Sequence, residues 1–209
     1  GHAYDMMQAY TDLLYSSTGP ANNGDILTLD RQTGTGTTLG PSLFTEVKRL
    51  AVNPNNNIMY GIVNVPSGSE IVRVNAGQGD AYKLFSLDIP FLLGIAFDNS
   101  GTLYVSQQTG EIYTVDLNTG NYTFITTSNV FINSIAIHPT TNEMWAALFR
   151  PVGTGKDTIY TVNITTGVAT PVGVTGFGVM TNDLAFDEND DLYGVIGAAS
   201  QTGKLIQIN

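Results

Sequence analysis

Residues 95–120 read IAFDNSGTLYVSQQTGEIYTVDLNTG, and the order of events along them decides the fold. An apolar run, Ile95-Ala96-Phe97, stops at Asp98-Asn99, and an aromatic residue, Tyr104, then opens a second run. A third run, Ile112 to Asp116, alternates in polarity and is followed by Thr119-Gly120. Alternation with period two marks a strand, placing Ile112, Thr114 and Asp116 on one face and Tyr113 and Val115 on the other. Asp and Asn at the breaks can hydrogen-bond their own turns, and Gly supplies the positive φ that a hairpin needs. The stretch therefore reads as short strands joined by tight turns.

The same marks recur along the chain. The apolar strand with its turn returns as Leu50-Ala51-Val52-Asn53-Pro54, Ile135-Ala136-Ile137-His138-Pro139 and Leu184-Ala185-Phe186-Asp187-Glu188. The aromatic returns as Tyr15, Tyr60, Trp145 and Tyr193, so that with Tyr104 the spacings are 45, 44, 41 and 48 residues. The alternating strand returns as Ile26 to Asp30, Ile71 to Asn75, Ile159 to Asn163 and Leu205 to Asn209. A fourth strand is expected at Gly36 to Leu39, Tyr82 to Leu87, Tyr122 to Thr126 and Val168 to Val172. Four short strands in a unit of about 40 to 50 residues are the signature of a β-propeller blade. The expected fold is all-β, a single propeller domain over 1–209 of five blades, at about 1–40, 41–87, 88–127, 128–173 and 174–209. The innermost strand of blade one falls at Asp5 to Gln8. Blade five stops at Asn209 with three strands of its own, so that either residues near Ala3 to Tyr10 close it or the sequence is a stretch of a longer ring.

Composition narrows the function. Among 209 residues, 8 Lys plus Arg face 18 Asp plus Glu, for a net charge of −10, and only 12% of residues are charged. Nucleic-acid binding and adhesion to anionic membranes both need clustered cations, so neither is expected. The most apolar stretch, Ile89 to Phe97, contains Pro90 and Gly94 and is far too short to span a bilayer. With no cysteine, disulfides, thiolate metal sites and cysteine nucleophiles are excluded. Only His2 and His138 are available for imidazole chemistry, and His138 occupies a turn slot that Asp98 and Asp187 hold elsewhere. Gly153-Thr154-Gly155-Lys156 lacks the spacing and following helix of a phosphate loop.

Leu184-Ala185-Phe186-Asp187, Leu192-Tyr193-Gly194, Leu205-Ile206-Gln207-Ile208-Asn209 and Asp116-Leu117-Asn118-Thr119-Gly120 together resemble secreted bacterial propellers of the NHL-repeat and gluconolactonase-like (senescence-marker-like) groups. The resemblance implies the fold and a secreted, periplasmic or cell-surface location; no cofactor is expected to be required, with Ca²⁺ or another divalent cation as the possible one. For the gluconolactonase-like enzymes it also implies one divalent cation at the channel mouth, held by a Glu, two Asn and an Asp. The matching residue types here are Glu46, Asn133, Asn182 and Asp183, although blade three offers only Leu93-Gly94.

Two further sets remain. Asp187, Asn189 and Asp191 have the alternating oxygen spacing of a Ca²⁺ loop but lack its later bidentate Glu, and a solvated hairpin turn has the same pattern. Phe91, Phe131 and Phe177 fall in loops of one propeller face, with Asn133 and Asn182 nearby. They suit docking of a protein or stacking on a carbohydrate, and the alternative is that they plug the top of the core. The leading expectation is a binding or scaffold propeller acting through its loop-rich face. Its rivals are a metal-dependent lactonase-type hydrolase and a structural module of a larger extracellular protein.

Overall fold

The computed structural model describes residues 13–19, 22–149, 157–196 and 204–209. Every strand among them belongs to one of five antiparallel sheets. Blade 1 holds β1 (Leu14–Ser17), β2 (Asp25–Leu29) and β3 (Gly36–Pro41). Blade 2 holds β4 (Arg49–Val52), β5 (Met59–Val65), β6 (Gly68–Val74) and β7 (Ala81–Leu87). Blade 3 holds β8 (Leu92–Phe97), β9 (Leu103–Gln107), β10 (Glu111–Val115) and β11 (Tyr122–Thr127). Blade 4 holds β12 (Ile132–Ile137), β13 (Met144–Leu148), β14 (Thr158–Val162) and β15 (Ala169–Val174). Blade 5 holds β16 (Thr181–Phe186), β17 (Leu192–Ile196) and β18 (Lys204–Ile208). The five-bladed propeller is thus present, with three strands in the last blade. The expected strand at Asp5 to Gln8, the closing segment Ala3 to Tyr10 and the loop Gly153 to Lys156 lie outside the described residues.

Apolar residues on both faces of each sheet build the core between blades. Ile26, Val47 and Met59 fill the seam of blades 1 and 2, and Tyr60, Ile62 and Leu103 that of blades 2 and 3. Ile112, Ile132 and Met144 fill the seam of blades 3 and 4, and Ala147, Ile159 and Leu184 that of blades 4 and 5. Each such buried aliphatic side chain contributes about 1.5–3 kcal/mol relative to exposure. The recurring aromatics lie in these layers, Tyr60 against the Phe97 ring at 5.3 Å and Trp145 against Phe186 at 5.8 Å.

One turn chemistry locks the blades together. Asp30, Asn75, Asp116 and Asn163 each accept, on the side-chain Oδ1, the amide N–H two residues on, at 2.8–3.0 Å. Four residues on, Gly34, Gly79, Gly120 and Gly167 adopt φ of 69° to 85°, and each N–H returns to the Asp or Asn carbonyl at 2.7–2.8 Å. These glycines also abut the preceding blade: Gly79 meets Gly40, Gly120 meets Phe85 and Gly167 meets Thr127. Gly34 of blade 1 faces Leu205 of blade 5, and Arg31 reaches Asp187 at 2.5 Å and Glu188 at 3.2 Å. The pattern therefore links blade 1 to 5, 2 to 1, 3 to 2 and 4 to 3.

Two bulges recur with the same period. In the outer strands the ladder skips Leu39, Leu84, Ile125 and Val172. A bulge bends and twists an edge, which blunts edge-to-edge pairing on a surface that carries few charges. In the inner strands the ladder skips Leu93, Asn133 and Asn182, and the Lys48 N–H donates to Ile62 carbonyl in the same place. The inner bulges lie at the channel mouth on the loop-rich face.

Candidate docking face

Register relative to the repeated alanines, Ala51, Ala96, Ala136 and Ala185, puts Arg49, Gly94, Ser134 and Asp183 at one level of the channel. Arg49 is only 9% exposed and reaches across the axis. Its Nη2 donates to the Asn133 carbonyl at 2.9 Å and to Asn133 Oδ1 at 3.3 Å, and its Nη1 donates to the Lys48 carbonyl at 2.6 Å. Its Nε, with no hydrogen-bond acceptor among the described residues, faces Asp183 Oδ1 at 3.6 Å. That carboxylate also accepts from Ser134 Oγ at 2.7 Å and from Leu184 N–H at 3.0 Å, while Asn133 Nδ2 donates to the Thr181 carbonyl at 2.7 Å. Burial lowers the Arg49 pKa, which Asp183 and Glu46 partly restore. Burial likewise raises the Asp183 carboxyl above its usual range, against the pull of Arg49 and Ser134, although 35% of its side-chain surface stays accessible.

The structure thus brings Asn133 and Asp183 together, but around a guanidinium. Glu46 instead pairs with Lys48 at 2.7 Å, and Asn182 holds the bulge slot of β16. As placed, Asn133 and Asp183 contact Arg49, and no cluster of three or more His, Cys, Asp or Glu is gathered among the described residues. Arg49 and Ser134 escaped the sequence reading. Their signal was positional, since each lies two residues before the repeated alanine.

Asp187, Asn189 and Asp191 form a tight turn on the opposite face. Asp187 Oδ1 accepts the N–H groups of Asn189 and Asp191, both at 2.9 Å, and Oδ2 faces Arg31. Asp98 and His138 hold the equivalent turns of their blades, with His138 using Nδ1 to accept from Thr140 N–H at 3.2 Å. Backbone amides and an arginine therefore engage both oxygens of the Asp187 carboxylate. Beside these turns the inner strands enclose a cavity of about 330 Å³, lined by Leu50, Ile95, Phe97, Ile135, Leu184 and Phe186.

The loop-rich face has a different character. Phe91, Phe131 and Phe177 are 66%, 56% and 53% exposed, so they do not plug the core. Leu43, in the corresponding loop of blade 2, is 74% exposed, which gives one apolar side chain for each of blades 2 to 5. Leu43 and Phe91 have φ of 68° and 54°, a conformation that bulky residues rarely adopt. Their neighbourhood is pinned: Phe91 carbonyl accepts from Gln108 N–H at 3.1 Å, Pro90 carbonyl from Gln107 Nε2 at 2.8 Å, and Phe131 carbonyl from Phe149 N–H at 2.9 Å. Ser69 Oγ donates to Ile89 carbonyl at 2.7 Å, and buried Asp157 accepts from Thr175 and Thr181 hydroxyls, both at 2.7 Å. Hydrogen-bonded backbones thus present the exposed side chains of Phe91 and Phe131.

A family model described as a repeat of unknown function, DUF6923, matches residues 47–209. No curated protein matches the sequence. Among solved structures, a chain of a nidogen/laminin complex aligns with a TM-score of 0.62 at 17% identity, over 93% of this chain and 73% of that one. A structural genomics protein of unknown function from Bacteroides thetaiotaomicron VPI-5482 aligns with a TM-score of 0.65 at 12% identity, over 93% of this chain and 52% of that one. A luciferin-regenerating enzyme aligns with a TM-score of 0.57 at 13% identity, over 94% and 73%. At these identities the likeness concerns the fold alone.

Proposed function

The chain belongs to the DUF6923 repeat family, and from that premise we propose that it is a binding module that docks a macromolecular partner on its loop-rich face. The observation that carries this reading is the crown of Leu43, Phe91, Phe131 and Phe177, all more than half exposed, with the Phe91 and Phe131 backbones held by hydrogen bonds. Pre-positioned aromatic and aliphatic side chains lose little freedom on binding, which is how a small patch gains affinity. The nidogen/laminin neighbour supports the reading by analogy only. The channel mouth is occupied by Arg49 and its acceptors, an arrangement better suited to holding blades together than to activating water.

The test is a pair of variants, Phe131→Ser and Phe177→Ser, probed against protein and glycan arrays with the parent chain. The expected outcome is loss of the parent's binding with an unchanged unfolding midpoint. Binding that survives both substitutions would move the docking site elsewhere.

A further inference from the structure

Independently of the crown, we propose that the groove between blades 2 and 3, on the outer wall of the ring, binds a neutral oligosaccharide. The groove runs between β7 and the turn that joins β10 to β11, encloses about 640 Å³, and has Phe85, Ser86, Asn121 and Tyr122 in its walls. Its floor follows from the closing turn. Gly120 has no side chain, so the turn backbone lies directly on the Phe85 ring, where a Cβ would come within 2.5 Å of Cδ1. Tyr122 is both held and exposed. Its hydroxyl donates to the Asp88 carboxylate, the edge-on Tyr113 ring lies 5.8 Å away, and 38% of the residue remains accessible.

The chemistry of the walls selects the ligand. None of the residues lining the groove is charged. Charged residues beside it are already engaged: Lys83 with Glu70 at 3.1 Å, Asp88 with Tyr122, and Asp116 with the Asn118 N–H and the Thr119 hydroxyl. An ionic ligand would shed its water against walls that offer no counter-charge. The exposed Ser86 hydroxyl and Asn121 carboxamide have no hydrogen-bond partner among the described residues, which leaves uncharged donors and acceptors beside two aromatic rings. An extended peptide strand is poorly served, because β7 bulges at Leu84, within the groove, and offers no regular ladder there. A pyranose chain meets both features. Its C–H faces are apolar and pack on aromatic faces, while its hydroxyls donate to and accept from amides and hydroxyls.

The probes are neutral hexasaccharides of glucose, mannose, xylose and galactose, with an oligogalacturonate and a chitosan oligomer of the same length as anionic and cationic controls. Binding is read by isothermal titration calorimetry on the full chain. At least one neutral probe binds with a Kd of about 1 mM or tighter, and its affinity changes less than about twofold between low and high salt. Tyr122→Ala weakens it about tenfold or more, Asn121→Ala and Ser86→Ala weaken it about two- to fivefold each, and Tyr122→Phe, which keeps the ring, retains it. The crown pair Phe131→Ser with Phe177→Ser leaves it unchanged. No binding by any neutral probe, tighter binding of a charged control, or affinity indifferent to Tyr122→Ala, Asn121→Ala and Ser86→Ala overturns the groove site. Binding lost on the crown pair and kept on Tyr122→Ala overturns it too, while supporting the docking face. Unfolding midpoints separate a lost contact from a lost fold, and Asn121→Ala with Ser86→Ala decides the outcome if Tyr122→Ala unfolds.

Discussion

Arg49 is the residue on which the channel mouth depends. Removing one partner of a buried ion pair leaves the other uncompensated, so Arg49→Met should cost about 3–5 kcal/mol in denaturant unfolding. The double replacement Arg49→Met with Asp183→Leu should recover most of that loss, because the charges then leave together. The carboxylates differ in their response to acid. Burial raises Asp183, so its contribution to stability is greatest below the unfolded carboxylate range and is lost as pH rises through its folded value. Asp30 and Asp116 are lowered by turn hydrogen bonds from Thr33 and Asn118, so theirs is present above that range and lost as pH falls through the folded value. Asp116→Asn keeps the turn acceptor and should flatten the acid limb of the stability profile, read by unfolding below about pH 5. Of these residues the sequence revealed Asp183 as a channel position and Asp116 as a turn former. Arg49 stayed hidden because a lone arginine at a strand start looks like any surface cation until its acceptors arrive from two other blades.

At the scale of elements, the repeated turn is what made the propeller legible. An Asp or Asn followed four residues later by Gly is a local chemical requirement, so it leaves the same trace in Asp30, Asn75, Asp116 and Asn163. Gly167→Ala should lower stability by at least about 1–2 kcal/mol, because positive φ is strained for Ala and its Cβ would overlap the Thr127 carbonyl oxygen. Gly173→Ala, with nothing within 4 Å of the added methyl, is the control that should stay near neutral in the same thermal melts. The bulges left no such trace. Leu39, Leu84, Ile125 and Val172 continue an ordinary strand composition, and the inner bulge holds Asn133 and Asn182 in two blades but Leu93 in a third, because an extra residue is specified by the partner strand's register. The exposed phenylalanines were likewise ambiguous in sequence, since a loop aromatic reads the same whether it turns inward or outward.

For the whole molecule, the seam between blades 1 and 5 stands apart. The other blade junctions have buried apolar clusters among the described residues, whereas this one shows Arg31 held between Asp187 and Glu188. Arg31→Ala should therefore speed amide hydrogen exchange in β2 and β17 more than in β9 and β13. Uniform exchange across all four strands would show that the ion pair does not guard this seam. The closing turns also give the ring a direction, because each leans on the blade before it, as roof tiles overlap in one sense. A chain emerging from the ribosome can lay blades 2, 3 and 4 in order, each upon an outer strand already made. Blade 1 is the exception: the surface beneath Gly34 belongs to β18, so the first tile is secured only after the last has been synthesised.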